Sequence, residues 1–320
     1  MAKKYKPVDL SKLRTYSIRD RSHKFDSRLA ARLPGKGTNF LSWWESLPPY
    51  LGTENLRRLV AAILTARKAN RPVVLALGAH VVKVGCSPIV CDLMERGLVT
   101  AVALNGATAI HDVEVAIFGQ TSEEVADTIR DGSFGMVEET PAFFVDAMAK
   151  APSNETGLGE AIGRHLNETR PPNLSLSILA TAARLGLPAT VHIAYGTDTI
   201  HMHANVAQSD LADRSAIDFR LICGVVADMA PASGATDSGV WVNVGSAVLL
   251  PEVFLKAVAV ARNLGANLDD LITANLDMLR HYRPSENVIG RPVKKGRGLS
   301  VVGHHEILLP LLRQALIESA

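Results

Sequence analysis

Cysteine is scarce in this chain of 320 residues: only Cys86, Cys91 and Cys223 are present. An odd count without a CxxC pair argues against a disulfide framework or a zinc ribbon and predicts reduced thiols packed as core filler. Long apolar runs are also lacking. No window approaches about eighteen consecutive apolar residues, so no membrane-spanning helix is expected. The N-terminus is basic but has no apolar centre of the signal-peptide kind, which predicts a cytoplasmic protein. Three chemical signatures are missing as well: GxGxxG, GxxxxGK[ST] and HExxH do not occur. The ordinary dinucleotide loop, the P-loop and the zincin helix are thereby set aside. Net charge is small at +2, yet residues 1–24 carry eight Lys/Arg against two Asp, so this +6 arm leaves about −4 for the remainder. Without a basic stripe interleaved with aromatics, nucleic acid is not an expected partner. The arm has two readings, a contact with an acidic surface or simple solvation.

What the sequence does contain is alternation. "RPVVLALGA" and "LVTAVALNG" are short continuous apolar runs, the mark of strands covered on both faces. Between them "SPIVCDLMERG" predicts a helix with Ser87 as N-cap, Pro88 at the first turn and Gly97 at its end. "HDVEVAIFG" predicts a short helix beginning at Asp112, and "TSEEVADTIRDG" a surface helix with Thr121 and Glu124 as a capping box. After the Pro171-Pro172 punctuation, a candidate boundary between halves, the alternation resumes through "LPATVHIAYG", "SGVWVNVGS" and "GLSVV" as strands. No short-period repeat interrupts it. Parallel strands need crossover helices, so the expected architecture is α/β, a doubly wound and mostly parallel sheet with helices on both faces. The expected organisation is a basic arm over 1–35 and one domain over 36–320.

In such sheets ligands bind beyond the C-terminal strand ends. Four predicted exits carry polar residues or glycine: "GAHVVKVGCS", "NGATAIHD", "GTDTIHMHAN" and "GSAVLLPE". Gly78, Gly85, Gly106, Gly196 and Gly245 there suit tight turns or close approach of a phosphate to the backbone. His201 and His203 would share one side of an extended segment, with Asp198 three residues before, a set able to ligate zinc and leave room for water. His192, inside a strand, reads as core. Lys83, Lys256, Lys294 and Lys295 are the candidate nucleophiles toward carbonyls and imines, and "GRPVKKGRG" is either an anion clamp or a solvated loop.

Over residues 70–320 these exits resemble the deoxyhypusine synthase family, in strand-loop-helix order more than in motifs. His80 stands at a family Asn position with Gly85 retained. In "NGATAIHD" Asp112 keeps one of two paired carboxylates and His111 replaces the other. "TDTIHMH" matches at Thr197 and Asp198, with His203 near a second family aspartate. "VNVGSAVLLPE" keeps Gly245 of a triple-glycine turn. "RPSENVIGRPVKKG" matches at Arg283, Pro284, Glu286 and Val288, while Pro292 falls on the family's lysine. The resemblance implies a Rossmann-like sheet, NAD, an amine or polyamine substrate and a homotetramer with sites between subunits. It implies cofactor contacts at His80, Gly85, Asn105, Gly106, Ala107, Asp198, Gly245 and Ser246. Substrate contacts would be His111, His201 and Glu286, and the catalytic set Asp112, His203 and Lys294 or Lys295. Replacement of carboxylates by imidazoles points to a smaller or less cationic substrate, because imidazole cannot pair an ammonium as a carboxylate does. Three functions therefore stand side by side: an NAD-dependent enzyme on an amine, a metal-assisted hydrolase or lyase built on Asp198, His201 and His203, and a non-catalytic NAD-binding scaffold. The aromatic stretch "NFLSWWESLPPYLG" is either a subunit interface or a helix packed on its own core.

Overall fold

The computed structural model describes residues 4–232 and 234–320. Two helices, α1 (Phe40–Ser46) and α2 (Leu51–Lys68), precede the sheet. Strand β1 (Val73–Leu77) leads to the one-turn helix α3 (His80–Lys83) and to α4 (Ser87–Glu95). Strand β2 (Ala101–Asn105) leads to α5 (Gly106–Phe118), α6 (Val125–Thr128), α7 (Glu139–Ala149), α8 (Leu158–Thr169) and α9 (Ile178–Leu185). Strand β3 (Ala189–His192) is followed by α10 (Ala204–Ala207) and α11 (Leu211–Asp228), and β4 (Val240–Val244) by α12 (Leu249–Asn263). Then come β5 (Ile272–Asp277), α13 (Tyr282–Asn287), β6 (Gly298–Val302) and α14 (His305–Ser319).

All five strand pairings are parallel, in the order β3-β2-β1-β4-β5-β6. This is the 3-2-1-4-5-6 order of Rossmann sheets, with the chain reversing direction of travel between β1 and β4. Alternate residues of the central strands feed two separate cores. Val73, Leu75, Leu77, Val240, Val242 and Val244 face a layer that includes α2, α4, α5 and α14. Val74, Ala76 and Trp241 face Ile222 and Val226 of α11 and Phe254 and Ala257 of α12. Burial on both sides is why β1 reads as an unbroken apolar run, and β4 as one interrupted only by Asn243.

Several local expectations change. Helix α5 begins at Gly106 under an Asn105 cap, six residues before the predicted start, and Cys86 rather than Ser87 is the N-cap of α4. Only one turn of the surface helix forms, α6, with Glu124 as its cap. Pro171-Pro172 does not divide the molecule: it joins α8 to α9, which pack together, and strands from before and after it share one sheet. Strand β5, "ITANLD", was not anticipated. Helix α1 packs on the chain's own core through Trp44, one of the two alternatives, while Trp43 is exposed. All three cysteines are buried and free. Among the described residues, no helix is long and apolar enough to cross a membrane.

Asp112 is the main correction. It lies within α5, buried at 1% exposure, and does not reach the strand-end rim. Its carboxylate accepts hydrogen bonds from Ser177 Oγ (2.6 Å), Ile178 N (2.8 Å) and Leu179 N (3.1 Å), and so fixes the N-terminus of α9. Burial pushes this carboxyl up to about 6 against the opposing effect of those three bonds. Asp112→Ala leaves buried donors unpaired, so urea unfolding is expected to show a loss of about 3 kcal/mol, against about 1 kcal/mol for Ser177→Ala. A loss below about 0.5 kcal/mol for Asp112→Ala would remove its role as an anchor.

Candidate functional site

At the reversal point the turns after β1 and β4 meet. Gly78 N donates to Val244 O at 2.8 Å, and a Cβ on Gly78 would lie 2.1 Å from the Gly245 carbonyl oxygen. Only glycine permits that backbone contact. Gly245 has φ +65° and turns its α-carbon toward His305, whose Cε1 would stand 2.7 Å from a Cβ there. His305 opens α14, and its buried ring meets His80 edge-on with centroids 5.7 Å apart. Burial holds the His305 imidazole below its usual pKa, although the Asp277 charge and the Leu276 carbonyl act against this. His80 and Gly245 thus both lie against His305. Ser246 beside them is occupied by scaffolding: its carbonyl accepts from Asn243 Nδ2 and its Oγ from Leu250 N.

The exits of β2 and β3 meet at the start of α5. Asn105 Oδ1 accepts from Thr108 N (2.8 Å), and Thr108 Oγ1 donates to Leu77 O (2.9 Å), tying this helix to the end of β1. Against Gly106 lies the Asp198 carboxylate, which would sit 2.1 Å from a Cβ at that position. Burial pushes the Asp198 carboxyl up to about 6, while a hydrogen bond from Ala107 N works in the other direction. The chain's own acid therefore occupies the helix N-terminus where a phosphate could otherwise bind.

The two histidines after Asp198 do not converge with it on a metal. His201 Nδ1 accepts from Gly196 N (3.0 Å) and Asp198 N (3.4 Å), and its ring stacks on Tyr195. His203 Nε2 donates to Gly135 O at 2.9 Å. His201 Nε2 lies 3.9 Å from Asp198 Oδ2, but His203 is turned to Gly135, so no cluster of three or more His, Cys, Asp or Glu able to hold a metal forms among the described residues. The zinc alternative is corrected on this ground. His192 is a core residue, hydrogen-bonded to Thr190 Oγ1 and pushed by burial down to about 4.

Beside Asp198 opens a cavity of about 690 Å³ between α5, the segments 120–125 and 134–140, and Thr197–Thr199. That volume suits a small organic ligand. Its charged lining comprises Glu114, Glu123, Glu139 and Asp198 against Lys83 and His111. Glu114 accepts from the hydroxyls of Thr121 and Thr140, the latter at 3.0 Å, with His111 Nδ1 at 3.6 Å. Burial tends to raise the Glu114 carboxyl, but hydrogen bonds from His111, Thr121 and Thr140 outweigh it and leave the group below its usual value. His111 Nδ1 also lies 2.5 Å from Thr121 Oγ1. Because Thr121 gives its only proton to Glu114, this contact requires the His111 tautomer with hydrogen on Nδ1. The result is a relay from imidazole to hydroxyl to carboxylate. Glu123 is set by Gly135, whose N–H donates to its Oε1 at 2.9 Å.

Other expected residues lie elsewhere. Lys294 and Lys295 precede β6, at the N-terminal pole of a parallel sheet, and Lys294 pairs with Asp269 at 3.1 Å. Neither can reach the C-terminal rim, so the nucleophile expectation for both is corrected by topology. Glu286 pairs with Arg291 (3.5 Å) on and beyond α13. Gly85 ends α3 with φ +76° and has nothing packed on it. Lys83 is the lysine that lines the cavity. Sequence reading missed Glu114, Thr121, Glu123 and Thr140 as lining groups, and His305 as a rim residue. Glu114 had a signal, since it lies three residues after His111 on one helix face. Thr121 had none, because an irregular segment brings it in, and Thr140 enters from the first turn of α7.

No protein-family model and no curated protein matches the chain. Solved structures do, at the level of fold. An LOR/SDH protein from Methanococcus maripaludis S2 aligns with TM-score 0.52 and 13% identity, over 84% of this chain and 71% of its own. AgrE, solved in a ternary complex with ornithine and NAD+, aligns with TM-score 0.52 and 13% identity, over 83% of this chain and 33% of its own. A protein assigned as a deoxyhypusine synthase from Entamoeba histolytica gives TM-score 0.50 and 11% identity, over 88% of this chain and 94% of its own. The chain spans about a third of the length of AgrE and of the arginine dihydrolase ArgZ from cyanobacteria, and at these identities the likeness is one of Rossmann-like α/β fold.

Proposed function

We propose that this chain is an NAD-linked enzyme that binds a cationic amine or polyamine in the cavity beside α5. The observation that carries the reading is the balance of the lining, four carboxylates against one lysine and one histidine. With Glu114 held in its charged form, the cavity attracts an ammonium and repels an anion. The neighbours fit this reading, since one of them was solved with ornithine and NAD+.

The rim suits the neutral polar parts of a dinucleotide. Asp198 Oδ2 is a buried polar atom without a hydrogen-bond partner among the described residues, which a ribose hydroxyl or a carboxamide N–H would satisfy. His80, His305, Gly245, Asp198 and Asn105 would hold the cofactor there. When bound, NAD supplies the acceptor for a hydride from the carbon bearing the amine. The chain's residues do the rest. Glu114, Glu123 and Glu139 hold the cationic end, and the relay of His111, Thr121 and Glu114 can take the proton that amine oxidation releases. Residues 36–320 form the working unit, in a cytoplasmic homo-oligomer, a tetramer if the resemblance extends to assembly.

Calorimetry with NAD, then with spermidine or putrescine, tests the reading, together with amine-dependent formation of NADH. Binding of both ligands is expected, and Glu114→Gln is expected to weaken spermidine binding about tenfold, or roughly 1.4 kcal/mol. Absence of heat with NAD would end the proposal.

Asp198→Asn yields a second expectation. A carboxyl whose folded pKa is about 6, above the unfolded 3.8, makes the folded state bind more protons between those values. Its contribution to stability is therefore greatest at low pH and falls as pH rises through about 6. Asparagine removes that cost, so the variant is expected to be more stable than the parent at pH 7.5 by on the order of 2 kcal/mol, with the gap closing toward pH 4. It is also expected to bind NAD more weakly. Equal stability of variant and parent at both pH values, in urea titrations, would refute the burial of this charge.

A further inference from the structure

The basic arm is absorbed by none of the chemistry above, and its surroundings are unusual. From Lys4 to Lys24 no residue is buried, although the segment includes Val8, Leu10, Leu13, Tyr16 and Ile18 at 64–80% exposure. Hydrogen bonds of residues 8–23 run within the arm, as in Ser11 to Asp9, Arg19 to Ser17 and His23 to Ile18. Phe25 and Asp26, just after the arm, contact the Tyr50 ring and hydroxyl on the body. Large apolar side chains so exposed in one contiguous segment mark a contact surface.

A matching surface exists on the body. Residues 118–139 expose Phe118, Val125, Ile129, Met136 and Val137 at 44–58%. The same stretch carries Glu123, Glu124, Asp127, Asp131, Glu138 and Glu139 against the single cation Arg130. The arm from residue 4 to 24 carries seven Lys/Arg against two Asp. Each surface combines apolar groups with charge of the opposite sign to the other. They lie on opposite halves of the sheet, because the arm leaves beside α2, which bonds to β6 through Asn55 and Ser300, whereas the acidic lobe follows β2 and α5.

We infer that residues 4–24 of one copy of this chain dock on the lobe 118–139 of a second copy, beside the mouth of its cavity. The reach suffices: about twenty residues extend to roughly 70 Å, more than the breadth of a domain of this size, whose radius of gyration is about 20 Å. A membrane is the poorer partner, because the arm forms isolated single turns, Leu10–Lys12 and Ile18–Asp20, rather than a continuous amphipathic helix. Docking of this kind buries apolar groups and is steered by charge, so it weakens with salt.

The experiment mixes full-length protein grown in light and heavy isotopes and joins carboxylates to lysines with a zero-length carbodiimide. Hybrid light-heavy peptides that link Lys4, Lys6, Lys12 or Lys24 with Glu124, Asp127 or Asp131 are expected. The full-length triple variant Glu124→Lys, Asp127→Lys, Asp131→Lys, none of which lines the cavity, is expected to lose self-association at least tenfold by sedimentation velocity. Links found only within one isotope form would place the arm on its own body and overturn the inference. So would an unchanged association constant in the variant, or an arm that binds anionic vesicles while giving no hybrid links.

Discussion

Backbone contact between the turns after β1 and β4 is the constraint on which the site depends. Gly78 packs against the Gly245 carbonyl with no room for a methyl group between them. This contact fixes the two central strands at one level and leaves the ligand-bearing groups to be supplied from the sides. His305 then covers Gly245 from α14, and α5 closes the other flank through the bond of Thr108 to Leu77 O. Since every strand is parallel, each exit opens on the same pole, and groups distant in the chain become neighbours there. Lys83 after β1, Glu114 after β2 and Asp198 after β3 line one cavity for that reason.

Charge follows from the same arrangement. In Rossmann sheets with a glycine fingerprint, a helix N-terminus faces an anion. Here the helix after β2 faces Asp198, a fixed carboxylate that already answers its dipole. A phosphate would have to displace that group, whereas a hydroxyl could donate to its free oxygen. The sequence without GxGxxG and the structure with an acid at α5 are thus one fact seen twice. The acid that fills the phosphate-binding device from within is also one of the four acidic residues against one lysine and one histidine in the cavity lining.

Fold class was legible because burial on both faces writes itself as continuous apolar runs. β1 and β2 are of this kind, and their exits with glycine or asparagine followed directly. β5 escaped because "ITANLD" alternates small, polar and apolar residues, its polar positions being absorbed by Asn243 bonded to Asn275 and by Thr273 bonded to Val288 O. The lysines were misplaced for another reason. Sequence order says nothing of which pole a loop occupies until the direction of the next strand is known, and "RPVKKGRG" precedes β6 instead of following β5 at the rim. Thr121 was assigned to a helix cap by a spacing that is sound locally, yet a buried His111 and Glu114 compete for its hydroxyl. A long-range pair outbid the local rule.

The carboxylates show why a displaced pKa does not by itself locate function. Burial raises Asp112 to about 6, Asp198 to about 6 and Asp218 to about 7, so all three would pass a search for perturbed acids. Their surroundings differ. Asp112 clamps the first turn of α9, and Asp218 joins Gly159 N to Val191 N, bracing α8 against β3. Both are removed from the cavity, and their hydrogen bonds serve the scaffold. Asp198 shares their desolvation but borders open volume. Glu114 reverses the pattern: although half-buried, it is held below its usual value by three donors that also line the cavity. An acid held charged at a cavity wall can hold a cation, and an acid whose oxygens are spent on scaffold donors away from the cavity holds the fold. Geometry therefore ranks Glu114 and Asp198 above Asp112, which the resemblance had put in the catalytic set.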